Sequence, residues 1–170
     1  MDIDTKAIRR LRDHLLSRTH GPDARVGPAA GDPQHASRAG EAVARRLEPF
    51  AETMYLVMIA DGNPAPIERR AMAAAITVLA DGQMSARAIE SMLARFDANA
   101  QRAGAEARLA EIGSRLCADP DDRETAFSLG AVVALADDRV DLKENHALEW
   151  IRKYFGVSDR RVASILEAMG

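Results

Sequence analysis

The chain of 170 residues lacks the features that define several large protein classes. It has one cysteine, Cys117, which excludes an internal disulfide and predicts a buried, inert thiol. No stretch approaches the roughly 20 apolar residues that a membrane-spanning helix needs. Residues 1–16 alternate charges with short apolar pairs and lack the apolar core of a signal peptide. We therefore expect a soluble, cytoplasmic protein.

A surplus of one charge sign is also absent. Lysine and arginine total 23 against 26 aspartate and glutamate residues, which gives a formal net charge of −3. This balance provides no general attraction for nucleic acid or for an anionic membrane surface. Arginines 9, 10 and 12 make one side of the first predicted helix basic, and we interpret that side as a solvated face. We therefore expect protein partners and no nucleic acid.

The N-terminal part differs in composition from the rest of the chain. Residues 5–16 place Ile8, Leu11 and Leu15 at helical spacing, which predicts a short amphipathic helix. That helix could dock on the main body, dock on a partner, or not form stably. Residues 18–40 are rich in glycine and proline, which predicts a linker. We divide the chain into a short helix with a flexible arm (1–38) and a helical domain (39–170).

From residue 39 onward the pattern is helical, because alanine is abundant and no long stretch alternates with period two. Pro49 is expected near a helix start or at a kink. Asp119-Pro120 is a strong helix-start signal, and Ser85 is predicted to cap another helix. The predicted helices cover about 50–60, 66–80, 85–101, 105–118, 120–136, 141–155 and 158–169.

Two of these helices are apolar nearly all round, namely residues 50–60 and 126–136. A helix with so little polar surface is typical of the centre of a bundle. By contrast, the helix over 141–155 carries a one-sided apolar stripe, so we place it on the outside with one face buried.

The sequence contains an internal repeat. Residues 57–62 (VMIADG) are followed by Glu68, and residues 133–138 (VALADD) are followed at the same spacing by Glu144. Each unit reads as a buried helix, a short acidic loop and an amphipathic helix. We therefore predict an all-α fold, a single bundle of about seven helices built on two αα-hairpin repeats.

The pattern of a helix, Ala-Asp-Gly and a following glutamate, repeated with Asp138 in place of the glycine in an all-helical chain, resembles the TerB-like family of bacterial tellurite-resistance and stress-response proteins. The same domain type occurs in membrane-anchored J-domain co-chaperones. This resemblance covers about residues 50–169. It implies an all-helical fold, acidic loops that serve as a metal-binding or interaction site, and association with a membrane-bound complex.

Six carboxylates lie in or beside the two acidic loops. Glu68 and Glu144 fall in the first turn of a helix, where a carboxylate can cap the helix and is stabilised by the helix dipole. Asp61 and Asp137 follow helix ends, where the dipole disfavours a negative charge. We therefore expect N–H groups of the next helix or a cation to compensate the charge of each carboxylate. The candidate metal ligands are Asp61, Glu68, Asp137, Asp138, Asp141 and Glu144.

Three interpretations of these carboxylates stay open. Local capping is favoured; a site for Ca²⁺ or Mg²⁺, which take oxygen ligands, comes second; an exposed acidic docking surface comes third. The loops are too short for the twelve-residue EF-hand, and no other cofactor is indicated.

Signatures of catalysis are absent from the sequence, which has no nucleophile–base pair, phosphate-binding glycine loop or cofactor fingerprint. We therefore predict a small non-enzymatic binding module whose acidic loops contact partners and respond to a divalent cation. The alternatives are a metal-ion-binding protein proper and, below it, a carboxylate-based metal-dependent hydrolase.

Overall fold

The computed structural model describes residues 3–19, 33–60, 62, 64–136 and 146–169, and within this part the chain forms eight helices and no strand. The all-α prediction is confirmed. The helices are α1 (Thr5–Thr19), α2 (Pro33–Met58), α3 (Pro66–Leu79), α4 (Ala86–Ala103), α5 (Ala105–Leu116), α6 (Pro120–Leu135), α7 (His146–Phe155) and α8 (Asp159–Met169).

Local signals place most of the helix starts. The Asp119 carboxylate accepts hydrogen bonds from the backbone N–H groups of Asp121 (3.0 Å) and Asp122 (3.4 Å) at the start of α6. The Ser85 hydroxyl accepts from the N–H of Ala88 at 3.2 Å and caps α4. These side chains satisfy N–H groups that a helix start leaves without an intrahelical partner, as predicted.

Three details differ from the predictions. Helix α2 begins at Pro33, so residues 33–40 are helical rather than linker, with proline in the first turn, where its missing N–H costs nothing. Pro49 lies in the interior of α2 rather than near a helix start, and the Thr53 hydroxyl donates to the Pro49 carbonyl oxygen at 2.8 Å, while the predicted kink stays a prediction. Cys117 is exposed rather than buried because it lies just after the end of α5.

Helices α2 and α6 form the centre of the bundle. Every residue from Phe50 to Val57 is buried, and so is every residue from Thr125 to Ala134. Because other helices cover both segments on all sides, no polar face is needed, and the predicted central position is confirmed. Helix α7 buries only one stripe, also as predicted: Ala147, Leu148, Ile151 and Phe155.

The two central helices pack side by side in the same chain direction. Near the start of α6, Arg46 donates to both carboxylate oxygens of Asp122, at 2.8 and 3.0 Å. Further along both helices, Gly130 lies so close to Val57 that a β-carbon on Gly130 would be 3.3 Å from Cγ2 of Val57. The C-terminal ends of α2 and α6 therefore lie at the same end of the bundle.

Helix α1 packs against α3 and α6. Its side chains Ile8 and Leu15 are buried, as is Ile3 just before it, and they belong to the main core. Of the three possibilities open for this amphipathic helix, the structure shows docking on the main body. The proposed domain boundary at residue 38 falls within α2.

Candidate functional site

The candidate site is the end of the bundle where α2 and α6 terminate. Of the six predicted carboxylates, Glu68 alone lies in the described part of the chain. The predictions for the other five concern residues outside the described part: Asp61, Asp137, Asp138, Asp141 and Glu144. The residues that flank both loops are described, and they define the frame from which the loops depart.

Glu68 caps the start of α3. Its Oε2 accepts a hydrogen bond from the backbone N–H of Ala65 at 2.7 Å, and Pro66 occupies the first turn. The Ala65 backbone is extended (φ −65°, ψ 155°), the conformation of a residue that precedes a helix. Capping therefore gives Glu68 a structural role that needs no metal ion.

Replacing Glu68 with alanine should lower the free energy of unfolding by about 0.5–1 kcal/mol, because the Ala65 N–H loses its side-chain partner. Chemical denaturation of both proteins measures this difference. Glu90→Ala removes an exposed glutamate from α4 and is the matched control, with an expected change within about 0.5 kcal/mol. Equal losses in the two variants would contradict the capping role.

A polar cluster holds the first turn of α3 against α2 and α4. The hydroxyl of Tyr55 donates to the Asp97 carboxylate, and Nη1 of Arg69 donates to the second oxygen of Asp97 at 2.7 Å. Tyr55 is fully buried near the end of α2, while Arg69 directly follows Glu68. The cluster thus fixes where the first acidic loop enters α3.

The environment of the cluster shifts two ionisation equilibria. Burial raises the pKa of Tyr55 to about 12, and the hydrogen bond to Asp97 and the charge of that carboxylate act in the same direction. The hydrogen bond to Asp97 also raises the pKa of Arg69 above its ordinary value. Both shifts favour a neutral tyrosine beside a charged guanidinium–carboxylate pair.

Because the pKa of Tyr55 is raised, its contribution to stability is complete below pH 10.0, the ordinary pKa of a tyrosine side chain, and is lost as pH rises toward about 12. In that window the unfolded chain releases the tyrosine proton first. We expect the denaturation midpoint of the wild type to fall more steeply there than that of Tyr55→Phe. Parallel slopes for the two proteins would contradict the assignment.

Two large apolar side chains near the acidic loops are exposed to solvent. Ile67, in the first turn of α3, is 60% exposed, and Leu135, the last residue of α6, is 42% exposed. Each lies close in sequence to one acidic loop, Ile67 after the first and Leu135 before the second. Each acidic loop is therefore flanked in sequence by one exposed apolar side chain.

A pocket of about 360 Å³ opens beside the C-terminal end of α6. Its walls combine apolar atoms with one charged group of each sign, and they include Asp4, Ala7, Arg10, Leu135, Ala136 and Met169. The N-terminal end of α1 therefore lies against the helix end that leads into the second loop.

Among the described residues there is no group of three or more histidine, cysteine or acidic side chains that could hold a metal ion. At the start of α7, His146 is exposed, and its Nδ1 lies 3.8 Å from Glu149 Oε2. No helix in this part of the chain is both long enough and apolar enough to cross a membrane.

No sequence pattern indicated the cluster of Tyr55, Asp97 and Arg69. These residues belong to three helices, and no spacing between them signals a shared location. The exposure of Ile67 was not predicted either, because an isoleucine near a helix start is ordinarily assigned to the core. The only available signal was the position of Arg69 directly after the capping glutamate.

By its fold, the protein is an all-helical bundle, and its two central helices end at the same pole. The family model described as Tellurite resistance protein TerB matches residues 49–167, well over half of the chain, and the chain belongs to this family. The resemblance inferred from the sequence is thereby confirmed. A search of curated proteins and a search of solved structures found no significant match.

Proposed function

We propose that the chain is a non-enzymatic helical binding module of the tellurite-resistance and stress-response type, acting in the cytoplasm. The end of the bundle that carries the two acidic loops contacts partner proteins, including a membrane-bound complex, and binds Ca²⁺ or Mg²⁺. Family membership supports the type of protein. The absence of a nucleophile–base pair from the sequence supports a binding role over catalysis.

The parallel packing of α2 and α6 carries this proposal. Because Arg46 pairs with Asp122 and Val57 lies beside Gly130, both helices run toward the same pole. Asp61 and Asp137 follow these helix ends in sequence. Two acidic loops that leave one pole can act on a single ligand or a single partner surface.

Matching burial at corresponding positions supports the internal repeat. Residues 72, 75 and 79 of α3 are buried, and so are the corresponding residues 148, 151 and 155 of α7. Arg46 and Asp122, which form a bidentate ion pair, are themselves corresponding positions in the two halves. Contact between corresponding residues is expected where an approximate two-fold axis passes between two repeats.

The exposed apolar residues favour a protein partner. Ile67 and Leu135 flank the loops, so the proposed surface combines apolar side chains with several negative charges. A partner with a basic rim and an apolar centre would match both properties. The partner can be captured by cross-linking with the wild type, and its affinity then measured against Asp61→Asn and Ile67→Ser.

Each change should weaken binding of the captured partner by about 5-fold or more, because charge and apolar contact both contribute. Glu41→Gln with Glu90→Gln, which removes one exposed acid near the start of α2 and one from α4, is the control and should leave the affinity unchanged. Equal binding by Asp61→Asn and the wild type would exclude the first loop from the surface.

Calorimetry with Ca²⁺ and with Mg²⁺ tests the cation. We expect binding with a Kd in the micromolar range, about that of cytosolic Ca²⁺ sensors, and loss of binding in Asp137→Asn with Glu144→Gln. The Glu41→Gln with Glu90→Gln control should bind as the wild type does. No binding by the wild type, with lower stability of the loop variant, would show that the carboxylates act by capping alone.

Partner capture separates the proposal from the alternative of a metal-ion-binding protein proper. If cation binding is the whole function, the loop variants lose the ion and no specific partner is captured. If the ion modulates partner binding, removal of the ion changes the affinity for the partner by linkage.

A further inference from the structure

Helix α1 contacts two helices that do not neighbour it in sequence. It packs on α3 and α6 rather than on α2, which follows it in sequence. Both α3 and α6 lie inside the region matched by the family model, residues 49–167, whereas α1 lies outside it. A surface groove of the family domain is thus covered by a segment that the family model does not include.

The contact between α1 and the groove has two parts. The apolar part includes Ile8 and Leu15, two turns apart on one face of α1, with Ile3 ahead of them, and all three are buried. Ala7 and Leu11 are partly buried and pack against the same core. The polar part is Arg12, whose Nη1 donates to Asp81 Oδ1 at 2.6 Å and to the carbonyl oxygen of Val78 at 3.3 Å. The guanidinium therefore closes the C-terminal end of α3, where the helix dipole favours a cation.

Two properties of α1 would allow it to exchange with another helix. The Asp81 side chain is 56% exposed while that of Arg12 is 15% exposed, so water and salt reach the ion pair from the aspartate side. Lys6, Arg9 and Arg10 are exposed to solvent. Residues 20–32 separate α1 from α2, and at roughly 3.3–3.6 Å per extended residue they are long enough to keep a displaced α1 attached.

We propose that the groove between α3 and α6 is a helix-binding site, and that α1 occupies it as an internal competitor. The partner that fits is an amphipathic helix with aliphatic residues at positions i and i+7, an arginine at i+4, and no acidic residue facing Asp81. This site differs from the acidic loops, and the proposal does not depend on them. Displacement of α1 would also remove one wall of the pocket at the end of α6.

A chain that carries a protease site within residues 20–32 tests the proposal, because it folds intact before it is cut. After cleavage, a fluorescent peptide of residues 3–19 should bind the body with a Kd of about 10–100 µM. The uncut chain is the matched control. It should bind the peptide about 10-fold or more weakly, because its own α1 competes at a millimolar effective concentration.

Peptide variants test the contacts. Ile8→Asp in the peptide should reduce binding by about 50-fold or more, and Arg12→Ala by about 5-fold. Asp81→Asn in the body should lower the affinity for the unmodified peptide but change little with the Arg12→Ala peptide, since the two groups act on each other. Binding of α1 from a second copy of the chain would support the same groove.

Two results would overturn the proposal. Loss of the cooperative thermal transition on cleavage would show that α1 is an integral part of the fold. Equal affinity of the cleaved body for the unmodified peptide and for a peptide of scrambled sequence would show that the groove does not recognise a helix.

Discussion

Replacing Glu52 with alanine is expected to lower the free energy of unfolding by about 3 kcal/mol or more. Glu52 and Arg108 are 1% and 9% exposed at their side chains and form a bidentate pair, with Nε and Nη2 of the arginine donating to the carboxylate at 2.8 and 2.9 Å. The hydrogen bond to Glu52 raises the pKa of Arg108, so the guanidinium stays charged. Without Glu52 that charge would be buried with only Glu111 left to compensate it.

A second ion pair on the same helix is the control. Glu48, one turn before Glu52, accepts from Arg95 at 2.9 Å, but both partners are far more exposed than Glu52 and Arg108. Glu48→Ala should therefore cost less than about 1 kcal/mol. Denaturant unfolding of the two variants measures both values. Similar losses would show that burial does not determine the strength of the Glu52 pair.

Gly113→Ala should be destabilising by about 2 kcal/mol or more, although alanine is the better helix former by about 1 kcal/mol. A β-carbon on Gly113 would lie 2.5 Å from the carbonyl oxygen of Tyr154 and 2.9 Å from Cδ1 of Phe155. The nearest atom belongs to the backbone of α7, so a side-chain rotation cannot relieve the clash. Helices α5 and α7 would have to move apart.

Two nearby changes make this prediction specific. Gly130→Ala brings its new methyl group within 2.9 Å of Cδ1 of Ile151, but that atom is the end of a flexible side chain. We expect a loss of at most about 1 kcal/mol for Gly130→Ala, and a change within about 0.5 kcal/mol for the exposed Ser114→Ala. Thermal melts should follow this order. A Gly113→Ala protein as stable as the wild type would contradict the close approach of α5 and α7 at this position.

Much of the fold could be predicted from the sequence because its signals are local. Asp119 and Ser85 cap their helices through N–H groups two or three residues away, and the predicted starts are confirmed. Patterns of apolar residues in short windows identified the central helices and the single buried stripe of α7. Family membership followed from two matching motifs and is also confirmed.

The extent of α2 shows where local signals fail. Pro49 and the composition of residues 18–40 both argue against one long helix, yet α2 runs from Pro33 to Met58. Tertiary packing buries Phe50 to Val57, and this gain outweighs the hydrogen bond that the proline removes. The helix propensities of single residues therefore predict little when a helix lies in the centre of a bundle.

For the candidate site, the sequence identified the capping role of Glu68, which depends on Ala65 three residues away. It could not identify the Tyr55 and Asp97 contact or the exposure of Leu135, because these depend on helices distant in the chain. The shared role of the two acidic loops stays a prediction, and the calorimetric and partner-binding experiments test it.

By itself, the sequence determined the helical class, most helix boundaries and the family of this protein, since these follow from residue patterns within a few turns. Only the tertiary structure decided the docking of α1, the parallel course of α2 and α6, and the close contact at Gly113. Such features arise when segments far apart in the chain exclude water and share polar partners. No local pattern encodes which surfaces will meet.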